Sequence, residues 1–337
     1  MLLPELLQPY ARHPQVSALC KLTAEPSAHT IYMEGLHASA PAVVLAAWSL
    51  RMGRQGRTCL VVLEDEERAG YFYHDLTRML PDDQVLFYPS AYRRAVKYAQ
   101  RDAANEILRT EVLGRLSARC AAASGAEADS LFVVTYPDAV ARRVAPCQAF
   151  TDSSITLSEG DSHDLTGLTK RLFELGFHRK DYVYEPGEFA LRGSILDVFS
   201  YASEYPLRID FFGDEIDSIR LFEVQTQLSR ERKKEARIVP DTQAARPQDG
   251  QVPFTDYLPA DTVVVSADLT FVADAIDRIY SEGFVRQAAL ASEAQSEMEE
   301  AERRAQLERE LQLITASTFL RGVAGKQRIA FGPARPD

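Results

Sequence analysis

The sequence predicts an α/β fold class: a degenerate P-loop-type parallel-sheet domain interrupted by an inserted antiparallel α+β domain. Three observations predict it. Near-continuous apolar runs alternate with helix-like stretches through the first third, the pattern of a parallel sheet covered on both faces. At about Cys147 this gives way to closely spaced strands with little helix between them. A parallel-type run, Thr262 to Ser266 (TVVVS), then returns. One interrupted α/β domain explains that return better than three domains in a row. The expected boundaries are 1–147 and 236–337 for the two parts of the α/β domain and 148–235 for the insert.

The elements follow in order. His29 to Met33 (HTIYM) reads as the first strand and Ala42 to Met52 as a helix. Thr58 to Leu63 (TCLVVL) is β-rich and runs into Glu64-Asp65-Glu66, acids that suit the N-terminus of a helix over Arg68 to Leu80. Gln84 to Tyr88 (QVLFY) is a strand closed by Pro89. Asp102 to Ala118 is a long helix whose Ile107, Leu108, Val112, Leu113 and Leu116 keep one face. Leu131 to Thr135 (LFVVT) is a strand, followed by Pro137 and a short helix over Ala139 to Val144. In the insert, strands are expected at Ile155–Leu157, Tyr182–Tyr184, Gly187–Leu191, Ser194–Phe199, Pro206–Phe212 and Glu215–Phe222, with one helix over Leu165 to Leu175. Beyond Arg232-Lys233-Lys234 and Pro240 lies a polar loop, Thr242 to Gln251. Leu269 to Leu313 reads as mostly helical, and its acidic run from Glu293 to Glu310 as a solvated face. The last residues, Phe331 to Asp337, read as a linker.

Composition bounds the function. The 337 residues fit about two or three domains. A hydrophobic fraction of 46% supports packed cores and excludes a disordered chain. With 38 Lys+Arg against 49 Asp+Glu, a net charge of -11 argues against a surface built as a whole to coat nucleic acid or an anionic membrane. The cysteines, Cys20, Cys59, Cys120 and Cys147, form no CxxC pair and read as reduced, mostly buried thiols. Apolar runs fall far short of the ~18 residues of a membrane span. Pro4 and Glu5, with no basic segment before them, do not make a secretion signal. A soluble cytoplasmic protein, with no membrane partner, is expected.

The first strand leads into Gly35-Leu36-His37-Ala38-Ser39-Ala40-Pro41-Ala42. A P-loop at this strand–loop–helix position needs a second Gly, a Lys and a Ser/Thr where this chain has Ala40, Pro41 and Ala42. The missing Lys would neutralise phosphate and the missing hydroxyl would hold Mg²⁺. Pro41 also lacks the N–H that a phosphate cradle uses. The loop therefore reads as a tight strand-to-helix turn, and no cofactor is expected in this segment.

Other constellations are weaker. The histidines, His13, His29, His37, His74, His163 and His178, show no HxxxH spacing. His163 and His178, near Asp161 and Asp164, read as surface groups in preference to a site. Asp210, Asp214, Glu215 and Asp217 flank the turn glycine Gly213, and read as acids capping a hairpin or pairing with Arg208 and Arg220, with a carboxylate metal site the lesser alternative. Arg93, Arg94, Lys97 and Arg101, beside Tyr92 and Tyr98, make a basic cluster suited to DNA backbone contact and base stacking, or else a solvated loop and helix start.

The informative stretch is Gly176 to Ser229. Successive strand residues face opposite ways, so Arg208, Asp210 and Phe212 share one face and Ile209 and Phe211 the other. With Ile209 and Phe211 in the core, Phe212 lies outside beside Arg208, and Arg192 lies on a neighbouring strand. Arginine with an exposed aromatic is a composition found at protein-interface hot spots. The alternative pairs the arginines with Asp197, Asp210 or Glu188 and puts Phe212 in the core.

This stretch also carries a resemblance. The runs PGEFALRGSILDVFS (Pro186 to Ser200) and PLRIDFFGDEIDSIRLFEVQTQLS (Pro206 to Ser229) resemble the UvrB-homology module at the N-terminus of bacterial transcription-repair coupling factors. Tyr88-Pro89-Ser90, followed by Asn105-Glu106-Ile107-Leu108-Arg109, and Asp261 to Val265 extend the likeness more weakly. A UvrB would keep an intact P-loop and insert a long hairpin after the third strand. Here the loop is ruined, and only about 15 residues separate Pro89 from Asn105. The resemblance implies domains 1a, 2 and 1b, with domain 2 binding UvrA and so recruiting nucleotide excision repair to a stalled RNA polymerase. It places UvrA contact at Arg192, Arg208 and Phe212, with Arg179 and Arg220 as nearby candidates. It further implies masking of this surface by a C-terminal domain. RNA polymerase, double-stranded DNA, ATP and Mg²⁺ would belong to motor and polymerase-binding domains beyond residue 337. The competing expectation is a UvrB-like damaged-DNA-binding or remodelling module that contacts DNA directly.

Overall fold

The computed structural model describes residues 3–25, 27–90, 103–121, 128–148, 154–201, 203, 205–240, 250–290 and 312–332. Helices α1 (Leu3–Ala11) and α2 (Pro14–Ala24) precede β1 (Thr30–Glu34), α3 (Ala40–Met52), β2 (Thr58–Val62), α4 (Glu66–Met79) and β3 (Val85–Tyr88). Next come α5 (Ala103–Ala121), β4 (Leu131–Thr135), α6 (Pro137–Val140) and β5 (Arg143–Val144). The middle of the chain holds β6 (Ile155–Ser158), α7 (Leu165–Glu174), β7 (His178–Arg179), β8 (Glu188–Arg192), β9 (Ile195–Val198), β10 (Leu207–Phe212), β11 (Glu215–Phe222), β12 (Ser229–Lys233) and β13 (Glu235–Ile238). The remaining elements are β14 (Val252–Pro253), β15 (Val263–Ser266), α8 (Leu269–Leu290), α9 (Ala316–Val323) and β16 (Gln327–Gly332).

The chain divides into two units. The first comprises Met1–Ser90, Ala118–Arg143 and Val252–Asp337. Its six-stranded sheet has the order β1-β16-β15-β2-β4-β3, and every pair in it is parallel. Strands β2, β4 and β15 are buried along their whole length, which is why their sequences are unbroken apolar runs instead of alternating ones. Helix α3 presses Leu45, Ala46 and Trp48 inward, and the Trp48 ring meets Phe132 edge-on at 6.4 Å. Trp48 Nε1 donates to Thr23 Oγ1 of α2 at 3.1 Å. The acids before α4 do cap it: Asp65 accepts from the Arg68 N–H at 2.8 Å.

Several expectations for this unit change. Phe331 and Gly332 are not linker, since both lie in β16, an inner strand between β1 and β15. The glycine and following proline suggested a loop, but Gly332 pairs with Glu34 and its carbonyl accepts from the Gly35 N–H at 2.9 Å. The helix expected to run to Leu313 does not do so. Leu313 bridges Arg142, the Arg143 N–H donates to Gln312 O at 2.6 Å, and Thr315 caps a separate α9. The acidic run 293–310 lies outside the described residues. The short helix after β4 starts earlier, at Pro137, whose fixed φ favours a first turn. It ends before Arg143 and Val144, which form a strand. Helices α1 and α2 had no sequence expectation, although Val16, Leu19 and Thr23 recur on one buried face.

The second unit comprises Ala91–Ser117 and Val144–Gln251. Its six-stranded sheet has the order β12-β11-β10-β9-β8-β7. All neighbours are antiparallel except β7 and β8. A separate antiparallel pair joins β6 to β13. The inward residues Phe189, Leu196, Val198, Leu207, Ile209, Phe211 and Ile219 pack with Leu168 and Leu172 of α7. A smaller apolar cluster of Val183, Ala190, Phe199 and Phe222 lies apart from that core.

Tyr182–Tyr184 is not a strand. The Glu188 carboxylate accepts from the Tyr184 and Glu185 N–H groups at 2.9 and 3.1 Å, committing that backbone to a capped turn in place of a ladder. Strands β12 and β13 were not expected, because β12 (SRERK) is an exposed, charged edge with no apolar alternation. The thiols are less buried than their type suggests: Cys59 is buried, Cys20 and Cys147 are intermediate, Cys120 is exposed, and none is in a disulfide.

Candidate functional site

The degenerate phosphate loop comes first in the chain. Gly35 adopts φ 74° directly after β1, a left-handed conformation that glycine takes without strain. Ala40, Pro41 and Ala42 form the first turn of α3, and both Pro41 and Ala42 are buried. The Gly35 N–H is spent on Gly332 O and the Ala40 N–H on His37 O. Two of the groups that would cradle a phosphate therefore point into the fold, and Pro41 has none to offer.

Among the described residues, no three His, Cys, Asp or Glu side chains are grouped to hold a metal ion. His163 Nε2 is 3.9 Å from Asp161 Oδ2, while Asp164 caps α7 by accepting from Thr166 and Gly167 N–H groups. Arg93, Arg94, Lys97 and Arg101 lie outside the described residues. No helix among the described residues is long and apolar enough to cross a membrane.

The outer face of the second unit's sheet gathers the remaining candidates. Register sets it: Arg208 on β10 lies opposite Asp197 on β9 and Arg220 on β11, and Arg192 on β8 lies opposite Ile195. The alternation expected from sequence is present, with Leu207, Ile209 and Phe211 buried and Phe212 84% exposed. The β10–β11 hairpin turns through Gly213 at φ 66°. The pair slips register between Asp210 and Phe211, a bulge beside the exposed ring.

The arginines are also paired, as the alternative reading had it. Arg208 Nε and Nη2 donate to the two Asp197 carboxylate oxygens at 2.7 and 2.9 Å. Arg192 Nη2 donates to the same carboxylate. Arg208 reaches on to Gln227, donating to its backbone and side-chain oxygens at 3.1 and 3.3 Å. Its guanidinium lies 4.3 Å from the centre of the Phe222 ring, and that of Arg192 lies 5.0 Å from the Tyr182 ring. The hydrogen bonds that Arg208 donates to Asp197 raise its pKa, so the cation is held all the more firmly. Arg220 donates to Asp210, which also accepts from Ser218 Oγ at 2.9 Å. Arg179 is exposed on the edge strand β7, apart from this network.

The participation of Gln227 and Tyr182 was not foreseen. Gln227 sits at φ 58° in a loop, a position set by long-range closure and invisible to periodicity. Tyr182 reads in sequence as a strand residue, and that pattern gives no sign of its place against the Arg192 guanidinium.

The chain thus carries an α/β unit whose phosphate loop lacks the lysine and the hydroxyl, and an antiparallel unit bearing an arginine–phenylalanine face. Residues 155–243 match the family model for the UvrB interaction domain. The particular proteins that the chain resembles are transcription-repair-coupling factors. It is 30% identical over 199 residues to that of Bacillus subtilis (strain 168), a match covering 59% of this chain and 16% of the relative. It is 47% identical over 75 residues to that of Mycobacterium tuberculosis (strain CDC 1551 / Oshkosh), covering 22% and 6% respectively. It is 36% identical over 99 residues to that of Escherichia coli (strain K12), covering 29% and 9%. The resemblance read from the sequence holds, and the matched part spans no more than 16% of any of these three relatives.

Proposed function

We propose that this chain is a non-catalytic adaptor that binds UvrA through the outer face of β8–β11. Arg192, Arg208 and Phe212 form its centre, with Arg179 and Arg220 at its margin. Within a longer protein it recruits nucleotide excision repair to stalled RNA polymerase. ATP, Mg²⁺, RNA polymerase and double-stranded DNA engage other domains of that protein, whose C-terminal part masks the face until polymerase is bound. The module itself needs no cofactor. The observation that carries the reading is Phe212, a large apolar ring almost fully in water on the strand face that also carries the paired Arg208. Exposed aromatics next to arginine are the composition of interface anchors. The match to a UvrB interaction domain spans all of these residues. Capture on immobilised UvrA tests the proposal. The unaltered chain binds, and Phe212→Ala, Arg192→Ala and Arg208→Ala bind less. Capture of all three at the level of the unaltered chain overturns this face as the binding surface.

A further inference from the structure

Asp197 is out of place for an outward-facing strand residue. Its side chain is 1% exposed although it lies on the face opposite the main core. Two arginines cover it, Arg192 from β8 and Arg208 from β10. A buried carboxylate is tolerated only while such partners stay in place.

The two arginines differ in what they have left. Arg208 is 15% exposed and commits all three guanidinium nitrogens inside the unit, to Asp197 and Gln227, with Phe222 against its face. Arg192 is 36% exposed and commits Nη2 alone, to Asp197, with Tyr182 against its face. Its Nε and Nη1 carry no hydrogen bond to the described residues. Tyr182, Arg192, Asp197, Arg208 and Phe222 thus form a row of ring, cation, anion, cation and ring.

We propose that Asp197 is the positioning residue of this face. It locks Arg208 as an internal strut and aims the remaining donors of Arg192 outward, on the same side of the sheet as Phe212. Arg192 and Phe212 then touch the partner, and Arg208 acts through Asp197. The matching partner surface is a carboxylate, which takes two donors from one guanidinium, beside an apolar pocket for a phenyl ring. The inference rests on the reading that this face binds UvrA.

A double-mutant cycle tests it, with UvrA affinity measured by calorimetry and folding checked by melting curves. Asp197→Asn keeps the shape and removes the charge. It is expected to weaken binding about tenfold in the unaltered chain and to add little once Arg192→Ala is present, because interacting positions are non-additive. In a Phe212→Ala background it keeps its full effect. Arg208→Lys retains a charge but loses the planar fork, so it is expected to bind as poorly as Arg208→Ala. Should Asp197→Asn fail to fold, the Arg208→Lys comparison carries the test alone. Unchanged binding by Asp197→Asn, losses that multiply with Arg192→Ala, or rescue by Arg208→Lys overturns the positioning role and leaves the face intact. Unchanged binding by both Arg192→Ala and Phe212→Ala refutes the face, and the positioning role with it.

Discussion

Arg208 and Asp197 face each other across the β9–β10 pair, and the guanidinium takes both carboxylate oxygens at 2.7 and 2.9 Å. The same arginine thus belongs to the fold and to the candidate interface. Removing it strands a buried charge, although Arg192 remains on the acid. Arg208→Ala is therefore expected to lower stability by about 3 kcal/mol, the low end for breaking a buried pair. Arg192→Ala leaves the two-bond pair whole, removes a partly exposed partner, and is expected to cost about 1 kcal/mol. Urea unfolding of both variants checks the order, and equal losses would contradict it.

Phe212→Ala separates binding from folding. Its ring is exposed and no part of the core, so stability is expected to stay within about 0.5 kcal/mol of the unaltered chain. Affinity for UvrA is expected to fall by about 2 kcal/mol, the loss typical of an interface anchor. Calorimetric titration alongside a melting curve reads both. A destabilised variant that binds normally would place Phe212 with the core instead.

The legible parts of this chain are those set by local pattern. Leu131–Thr135 is buried on both faces and reads as an unbroken apolar run. Alternation through Arg208–Phe212 needs only period two to send Phe212 outward. The illegible parts depend on partners far along the chain. Strand β16 is held by β1, whose Thr30 pairs with Arg328, and that contact is not encoded in Gln327–Gly332. Strand β12 is held by its backbone while its side chains carry charge into water. For the arginines, sequence posed interface and ion pair as rivals. The ion pairs form and Phe212 still stays exposed, because the hairpin register brings Asp197 between Arg192 and Arg208.

The phosphate loop cannot be repaired by restoring its lost side chains. Ala42 is fully buried and Pro41 is buried beside it, so lysine and threonine there meet packed side chains. Ala40→Gly/Pro41→Lys/Ala42→Thr is expected to cost about 2 kcal/mol of stability through overpacking. Neither it nor the unaltered chain is expected to give binding heat with Mg-ATP, because the Gly35 and Ala40 N–H groups are already spent. A saturating Mg-ATP isotherm for the unaltered chain would overturn the non-catalytic reading.

Cys59 sets an alkaline limit on the first unit. It sits on β2 between Val263 and Phe132 of the flanking strands, fully enclosed. Burial pushes its pKa up from 9.0 to about 12, and the nearby Arg57 and Arg119 only partly offset this. The folded state therefore holds the proton more tightly than the unfolded chain does. A raised pKa contributes stability in full below pH 9.0, and that stability is lost as pH climbs from there towards about 12. Between pH 8 and 10 the loss from this one group is roughly 1.4 kcal/mol. Cys59→Ala is expected to start less stable by about 1–2 kcal/mol, because a packed sulfur is gone, and then to lose less on the way up. Urea unfolding of both proteins at pH 8 and pH 10 gives the comparison. Parallel losses in the two proteins would mean that the buried thiol is not what makes the fold sensitive to base.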